Sequence, residues 1–181
     1  MKALLVLFVA LFIGCSSFSI YERVFNRFAV VLTDSVLSSG VRVGGGTVLG
    51  ATHAVNPDSV ARITTTSGDF FSRPFFRGEV AVLYGDILPD TVLVSDVSLG
   101  DEVCWIQPRF EAGDGVFLTF GRVSVKTDSS FFIDRLIMYG VSGSGVWNAR
   151  GELVGIMQSF VTINGYPMYA RATRLWNRRM P

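Results

Sequence analysis

An all-β fold is what this sequence predicts, on three observations. From Phe28 onward, short runs rich in Val, Leu, Ile and Phe are broken by Gly, Asp, Ser or Pro at intervals of about ten residues, which is strand-and-turn spacing. The Asn164-Gly165 pair stands between two such runs and suits the positive backbone angles of a tight hairpin. Length and composition agree: 181 residues, 49% of them hydrophobic, can fill one substantial domain or two small barrels sharing an interface.

Taken in order, the chain opens on MKALLVLFVALFIGCSSFS (residues 1–19), where Lys2 precedes an apolar run from Ala3 to Ile13. That run is too short to cross a bilayer comfortably and reads as an export signal. Gly14-Cys15 after Phe12-Ile13 resembles the lipobox of bacterial lipoproteins, in which the cysteine is lipidated and becomes the mature N-terminus; Phe12 stands where leucine is usual. Lipidation at Cys15, ordinary cleavage near Ser17 to Ser19, and an uncleaved anchor all stay open. Each implies an exported protein, held at the cell envelope or secreted. Residues 20–28 then read as a short linker helix, with Ile20, Val24, Phe25 and Phe28 at helical spacing.

The remaining chain, 29–181, is expected to fold as one protein domain. Candidate strands are Ala29 to Leu32, Val41 to Leu49, Val60 to Thr65, Val80 to Tyr84, Thr91 to Val97, Glu102 to Gln107, Val116 to Val125, Gly145 to Asn148, Leu153 to Phe160 and Pro167 to Thr173. If there are two barrels, the change falls near Asp90 to Gly100, giving a first over roughly 29–95 and a second over roughly 96–181.

Composition narrows the function classes. Only 17% of residues are charged and the net charge is +1, which disfavours disorder and a broad nucleic-acid surface. The arginines of the tail, Arg171, Arg174, Arg178 and Arg179, read as solvated cations around a docked Leu175-Trp176 pair. Only two cysteines exist. With Cys15 lipidated or removed, Cys104 in VCWI reads as a small buried hydrophobe, and the inventory builds neither a disulfide framework nor a metal cluster. No cofactor is implied, and the oligomeric state is not readable.

Chemistry concentrates at YGVSGSGVWNARGELVGI, Tyr139 to Ile156. Glycines at 140 and 143 free the backbone on both sides of Ser142, so amide N–H groups can turn toward one point beside its hydroxyl, as an oxyanion hole requires. A serine hydroxyl is a weak nucleophile until a base takes its proton, and imidazole suits that task near neutral pH. The one histidine is His53, in GGGTVLGATHAV. It follows an apolar run at a strand end, where a rigid scaffold can present it to solvent. The triple glycine Gly44 to Gly46 lacks the GxGxxG spacing and a following helix, so dinucleotide binding is a poor reading. Imidazole needs a carboxylate in turn. Glu79 in RGEVAVLYGD is the first candidate, Asp86 the second and Asp69 the third.

At this point the chain resembles the chymotrypsin-like (trypsin-fold) serine proteases, particularly the bacterial Deg-type branch and short virus-encoded members. GGGTVLGATHAV resembles the segment bearing their catalytic histidine and GEVAVL the strand that opens with the catalytic acid. LGDEVCWIQPR resembles the start of the second barrel, FGRVSV a later strand, and GVSGSGVWNARGELVGI the nucleophile segment. The order of the three residues is the family's. The resemblance implies two packed six-stranded antiparallel Greek-key barrels, with His53 as general base and then acid, Ser142 as nucleophile, and the Gly140 and Ser142 amides as oxyanion donors. Glu79 stands where the family usually has Asp, and Ser144-Gly145 replaces the common Gly-Pro.

The resemblance also places the substrate pocket at Asp134 to Tyr139 and Met157 to Phe160, with Asp134, Leu136, Met157, Gln158 and Ser159 as its candidate residues. Leu136 lies where trypsin-type enzymes keep their specificity acid, which points to an apolar or small side chain before the cut. The expected partner is a peptide or protein substrate, with membrane attachment through the N-terminus and no nucleic acid. The competing expectation is a catalytically silent binding or structural module on the same fold.

Overall fold

A computed structural model describes residues 20–34, 36–85, 90–109, 115–164 and 166–175. The export signal with Cys15, the Asp86 candidate, Gly165 and the tail residues Trp176, Arg178 and Arg179 lie outside the described residues.

Residues 20–25 are helical and lead into thirteen strands. The first seven are β1 (Phe28–Thr33), β2 (Val36–Gly44), β3 (Thr47–Ala51), β4 (Ala61–Thr65), β5 (Gly68–Ser72), β6 (Phe75–Arg77) and β7 (Val80–Tyr84). A one-turn 3-10 helix, Thr52–Ala54, follows β3. These strands form one antiparallel sheet in the order β5-β4-β1-β2-β3-β7-β6. The sheet curls on itself: the Tyr84 amide of β7 donates to Ser72 Oγ of β5 at 2.9 Å. The other six, β8 (Glu102–Pro108), β9 (Val116–Lys126), β10 (Ser130–Ile133), β11 (Gly145–Asn148), β12 (Leu153–Ile163) and β13 (Tyr166–Arg174), close a barrel in the order β10-β13-β12-β11-β8-β9. The expected all-β, two-barrel architecture is what the molecule has, with six strands in the closed second barrel as expected and seven in the curled first half where six were expected.

The apolar runs are nearly continuous because both faces of the central strands are buried, and the period of two sends alternate side chains into different cores. On β7, Val80 and Val82 enter the core shared by the two halves, while Ala81 and Leu83 fill the first half. On β8, Cys104 and Ile106 face the shared core, and Val103 and Trp105 fill the second barrel. Cys104 is thus a buried residue of the interface, its thiol pushed up to about 12 by desolvation and then by the Glu102 charge. Val24 of the N-terminal helix is buried in the same shared core, beside Ile20, Phe25 and Phe28. The helix therefore packs on the fold instead of only spacing it from an anchor.

Several expected strands change. Val41 to Leu49 is two strands, because Gly45 and Gly46 hold φ of +59° and +75° and turn the chain into the β2–β3 hairpin. Thr91 to Val97 is a connector with a single bridge, Val94 to Leu153, and its Val92 amide bonds back to Val43 at 2.9 Å. Strands β5, β6 and β10 were not expected. Pro74 lacks an amide proton and separates β5 from β6, leaving pieces too short to read as strands in sequence. The connector is fixed by Asp96, whose carboxylate takes two Arg174 bonds at 2.8 Å and one from Lys126 at 2.9 Å. Leu175 is buried, and Arg171 and Arg174 are engaged in ion pairs instead of standing free in solvent.

Candidate active site

Ser142 lies in the loop between β10 and β11, and this loop is held from several directions. The Gly143 amide donates to Met157 O at 2.8 Å, the Met157 amide returns a bond to Ser144 O at 2.9 Å, and Ser144 Oγ donates to Ile106 O at 2.9 Å. The Ser144 departure from Gly-Pro therefore adds an anchor to β8. From the first half, β2 grips the same loop: the Ser39 amide donates to Ser142 O at 2.9 Å and Ser39 Oγ to Gly140 O at 2.7 Å. Gly143 has φ +93°, and a Cβ there would lie 1.9 Å from Ser39 O, so only glycine lets the loop seat this close. Among the described residues neither the Gly140 nor the Ser142 amide donates a backbone or side-chain hydrogen bond.

His53 sits in the 3-10 turn after β3, exposed at the join of the two halves. Its Nε2 is 3.1 Å from Ser142 Oγ, across 89 residues of sequence. The hydroxyl also lies 2.8 Å from Gln158 O and donates to it. One hydroxyl carries one proton, so it goes either to that carbonyl or to the imidazole, and rotation about Cβ–Oγ switches between them.

Gln158, expected in the wall of the substrate pocket, is a fully buried residue of β12. Its carbonyl takes the Ser142 hydroxyl, and its Nε2 donates to Glu79 O at 3.1 Å. The same side chain also acts on His53 in favour of the protonated ring. The pKa of His53 is nevertheless held below its ordinary value, first by partial desolvation of the ring at the join and then by the Arg171 charge, against the opposing pull of Gln158 and of the Glu79 charge.

Glu79 occupies the turn before β7, its backbone carbonyl fixed by the Thr52 amide at 3.1 Å. Its carboxylate is drawn toward β13: Oε1 accepts from Arg171 Nη2 at 2.7 Å and Oε2 from Thr173 Oγ1 at 2.5 Å. Glu79 thus reaches His53 as a neighbouring charge while its oxygens serve donors of the second barrel. Asp69, the third candidate, is used within its own hairpin, accepting from Arg62 and from Thr64 Oγ1 at 2.6 Å.

The expected pocket residues differ in exposure. Met157 is fully buried in the second-barrel core, and Ser159 is half-buried further along β12. Leu136 is exposed, as are Met138 and Tyr139, in the segment leading to Gly140. Asp134 turns to the β9 edge, where its Oδ1 accepts the Arg122 amide at 2.6 Å. Among the described residues no group of three or more His, Cys, Asp or Glu could hold a metal ion.

No protein-family model matches the chain, and no curated protein is significantly similar to it. Solved structures are. The Rv3671c protease in an inactive form has a TM-score of 0.71 at 14% identity, over 87% of each chain. A serine-to-alanine variant of Rv3671c from M. tuberculosis H37Rv, also in an inactive form, gives 0.71 at 13% identity, over 86% of this chain and 84% of that one. A serine endoprotease from Yersinia pestis gives 0.68 at 22% identity, over 86% of this chain and 61% of that one. At such identities the likeness is one of architecture: this chain has the two-barrel fold of the chymotrypsin-like serine proteases.

Proposed function

We propose that the chain is an exported serine endopeptidase that cleaves peptide bonds through an acyl-enzyme. The observation that carries the reading is the 3.1 Å approach of Ser142 Oγ to the chain's one histidine, on a fold whose solved examples include proteases. In this reading His53 Nε2 takes the Ser142 proton as Oγ attacks the substrate carbonyl carbon. The Gly140 and Ser142 amides receive the charge that forms on the carbonyl oxygen. The imidazolium then protonates the leaving amine, and water hydrolyses the acyl-enzyme with the same base. Glu79 is the acid that favours the imidazolium, and Gln158 orients the ring. Exposed Leu136 supports an apolar or small side chain before the cut.

A fluorophosphonate probe tests this. Labelling at Ser142 is expected in the wild type, abolished in Ser142→Ala, which lacks the attacking oxygen, and strongly reduced in His53→Ala. Folded protein that shows no adduct by intact mass at any pH would overturn the reading. It would favour the silent binding module, which the engagement of Glu79 by Arg171 and Thr173 supports. Export and attachment are separable from catalysis. A lipid-modified Cys15 at the mature N-terminus would support envelope anchoring, and a free N-terminus near Ser17 to Ser19 would support secretion.

A further inference from the structure

We infer that Arg171 is a positioning residue for the catalytic base, acting through Glu79: its guanidinium competes with the imidazole of His53 for one carboxylate. The inference rests on the endopeptidase reading for its meaning, and on geometry for its substance.

Arg171 and Thr173 are two residues apart on β13, so their side chains leave the same face of the strand. Each supplies one donor to a different oxygen of Glu79, at 2.7 and 2.5 Å. The strand is not free to yield, because Arg171 pairs with Phe132 of β10 on one side and Ser159 of β12 on the other. The Glu79 backbone is fixed as well, by the Thr52 amide and Gln158 Nε2, each at 3.1 Å. The carboxylate is thus held by the β13 donors while its charge acts on the ring.

A carboxylate engaged by a guanidinium lends less of its charge to a nearby imidazolium, and the guanidinium itself repels that imidazolium. Both effects keep the ring neutral to lower pH than an unopposed Glu79 would allow. Among the described residues the groups acting on His53 are Arg171 from β13, Glu79 from the turn before β7, and the uncharged Gln158 from β12. Arg171 therefore trades stabilisation of the imidazolium for a base that is ready in more acidic surroundings. The pairing is invisible to residue order, since Arg171 follows Glu79 by 92 positions.

Because the chain holds one histidine, its imidazole NMR signal in protein made without a histidine tag reports the titration directly, with no need of activity. Arg171→Met is expected to move the His53 midpoint to higher pH, and Thr173→Val to move it less in the same direction. Arg171→Lys, which keeps the charge, should stay near wild type. Glu79→Gln should lower the midpoint, and in the double variant the rise caused by Arg171→Met should shrink, because the released carboxylate is gone. Probe labelling of Ser142 should follow, with the acid limb of Arg171→Met displaced upward and labelling several-fold slower at its acidic end. An unmoved midpoint in folded Arg171→Met overturns the inference. So does a rise of equal size with and without Glu79, which would mean that Arg171 acts by its own charge alone. Absence of Ser142 labelling in all variants, with the midpoint shifts as expected, would instead remove the endopeptidase reading and leave the Arg171–Glu79 coupling standing.

Discussion

The loop that carries Ser142 and the corner that carries Glu79 flank the same imidazole, yet they are built on different terms. The serine loop is fixed through its main chain, by Gly143, Ser144 and Met157 within the second barrel and by Ser39 from the first half. Its geometry would survive the loss of almost any single side chain. The Glu79 corner is fixed only up to its backbone carbonyl, and beyond that the carboxylate goes where side-chain donors take it. A nucleophile held by backbone and an acid held by side chains fail differently. Side chains added against the backbone of the first should have severe, structural effects, and mutations at the second graded, pH-dependent ones.

The sharpest way to break that comparison is Gly143→Ala. The added methyl would lie 1.9 Å from Ser39 O on a residue with φ +93°, so either the loop or β2 must move. Combined strain and overpacking of this kind cost about 3 kcal/mol or more. Urea unfolding should show that loss, and probe labelling should fall with it even at temperatures where the variant stays folded. Retention of wild-type labelling would mean that the loop tolerates displacement, and that backbone fixation is not what holds Ser142 in place.

Gln158→Leu probes the junction between the two regions and should be milder. The substitution keeps the main-chain carbonyl that receives the Ser142 hydroxyl but removes the amide that bonds Glu79 O and acts on His53. Glu79 O keeps the Thr52 amide, so no buried backbone acceptor is orphaned. Labelling is expected to fall by about tenfold, the scale of a lost orienting bond. Because the Gln158 side chain favours the protonated ring, the His53 midpoint should also fall further. A lower rate with an unmoved midpoint would make Gln158 a packing residue only.

The same contrast explains what was legible in the sequence. Ser142 and His53 could be found because their neighbours are local: Gly140 and Gly143 around the serine, and an apolar strand ending at Ala51 before the histidine. Strands with both faces buried, such as β7 and β11, were bounded correctly because their apolar runs stop where the strand stops. The contacts of Gln158 are not legible because a polar residue between Met157 and Ser159 gives no sign that it is buried, and its partners lie 16 and 79 residues away. Glu79 was found as a residue but not as a contact, since its orientation is decided by β13. The β5, β6 and β10 strands escaped because each is built on an adjacent Phe pair, Phe70-Phe71, Phe75-Phe76 and Phe131-Phe132, and lacks the alternation that longer strands display.

The smallest expected effect sharpens the comparison from its other side. Asp69 was a candidate for the acid, but its carboxylate bonds Thr64 Oγ1 and Arg62 across the β4–β5 hairpin, and those bonds, Thr64 first and then Arg62, hold its pKa below the usual range. An exposed pair of this type contributes little to a folded protein. Asp69→Asn should therefore leave both the labelling rate and the His53 midpoint at their wild-type values, where Glu79→Gln moves the midpoint down. If Asp69→Asn slowed labelling as much as Glu79→Gln, the negative charge felt by His53 would be a property of the whole first sheet. The distinction between a carboxylate set by β13 and one set by its own hairpin would then lose its functional content.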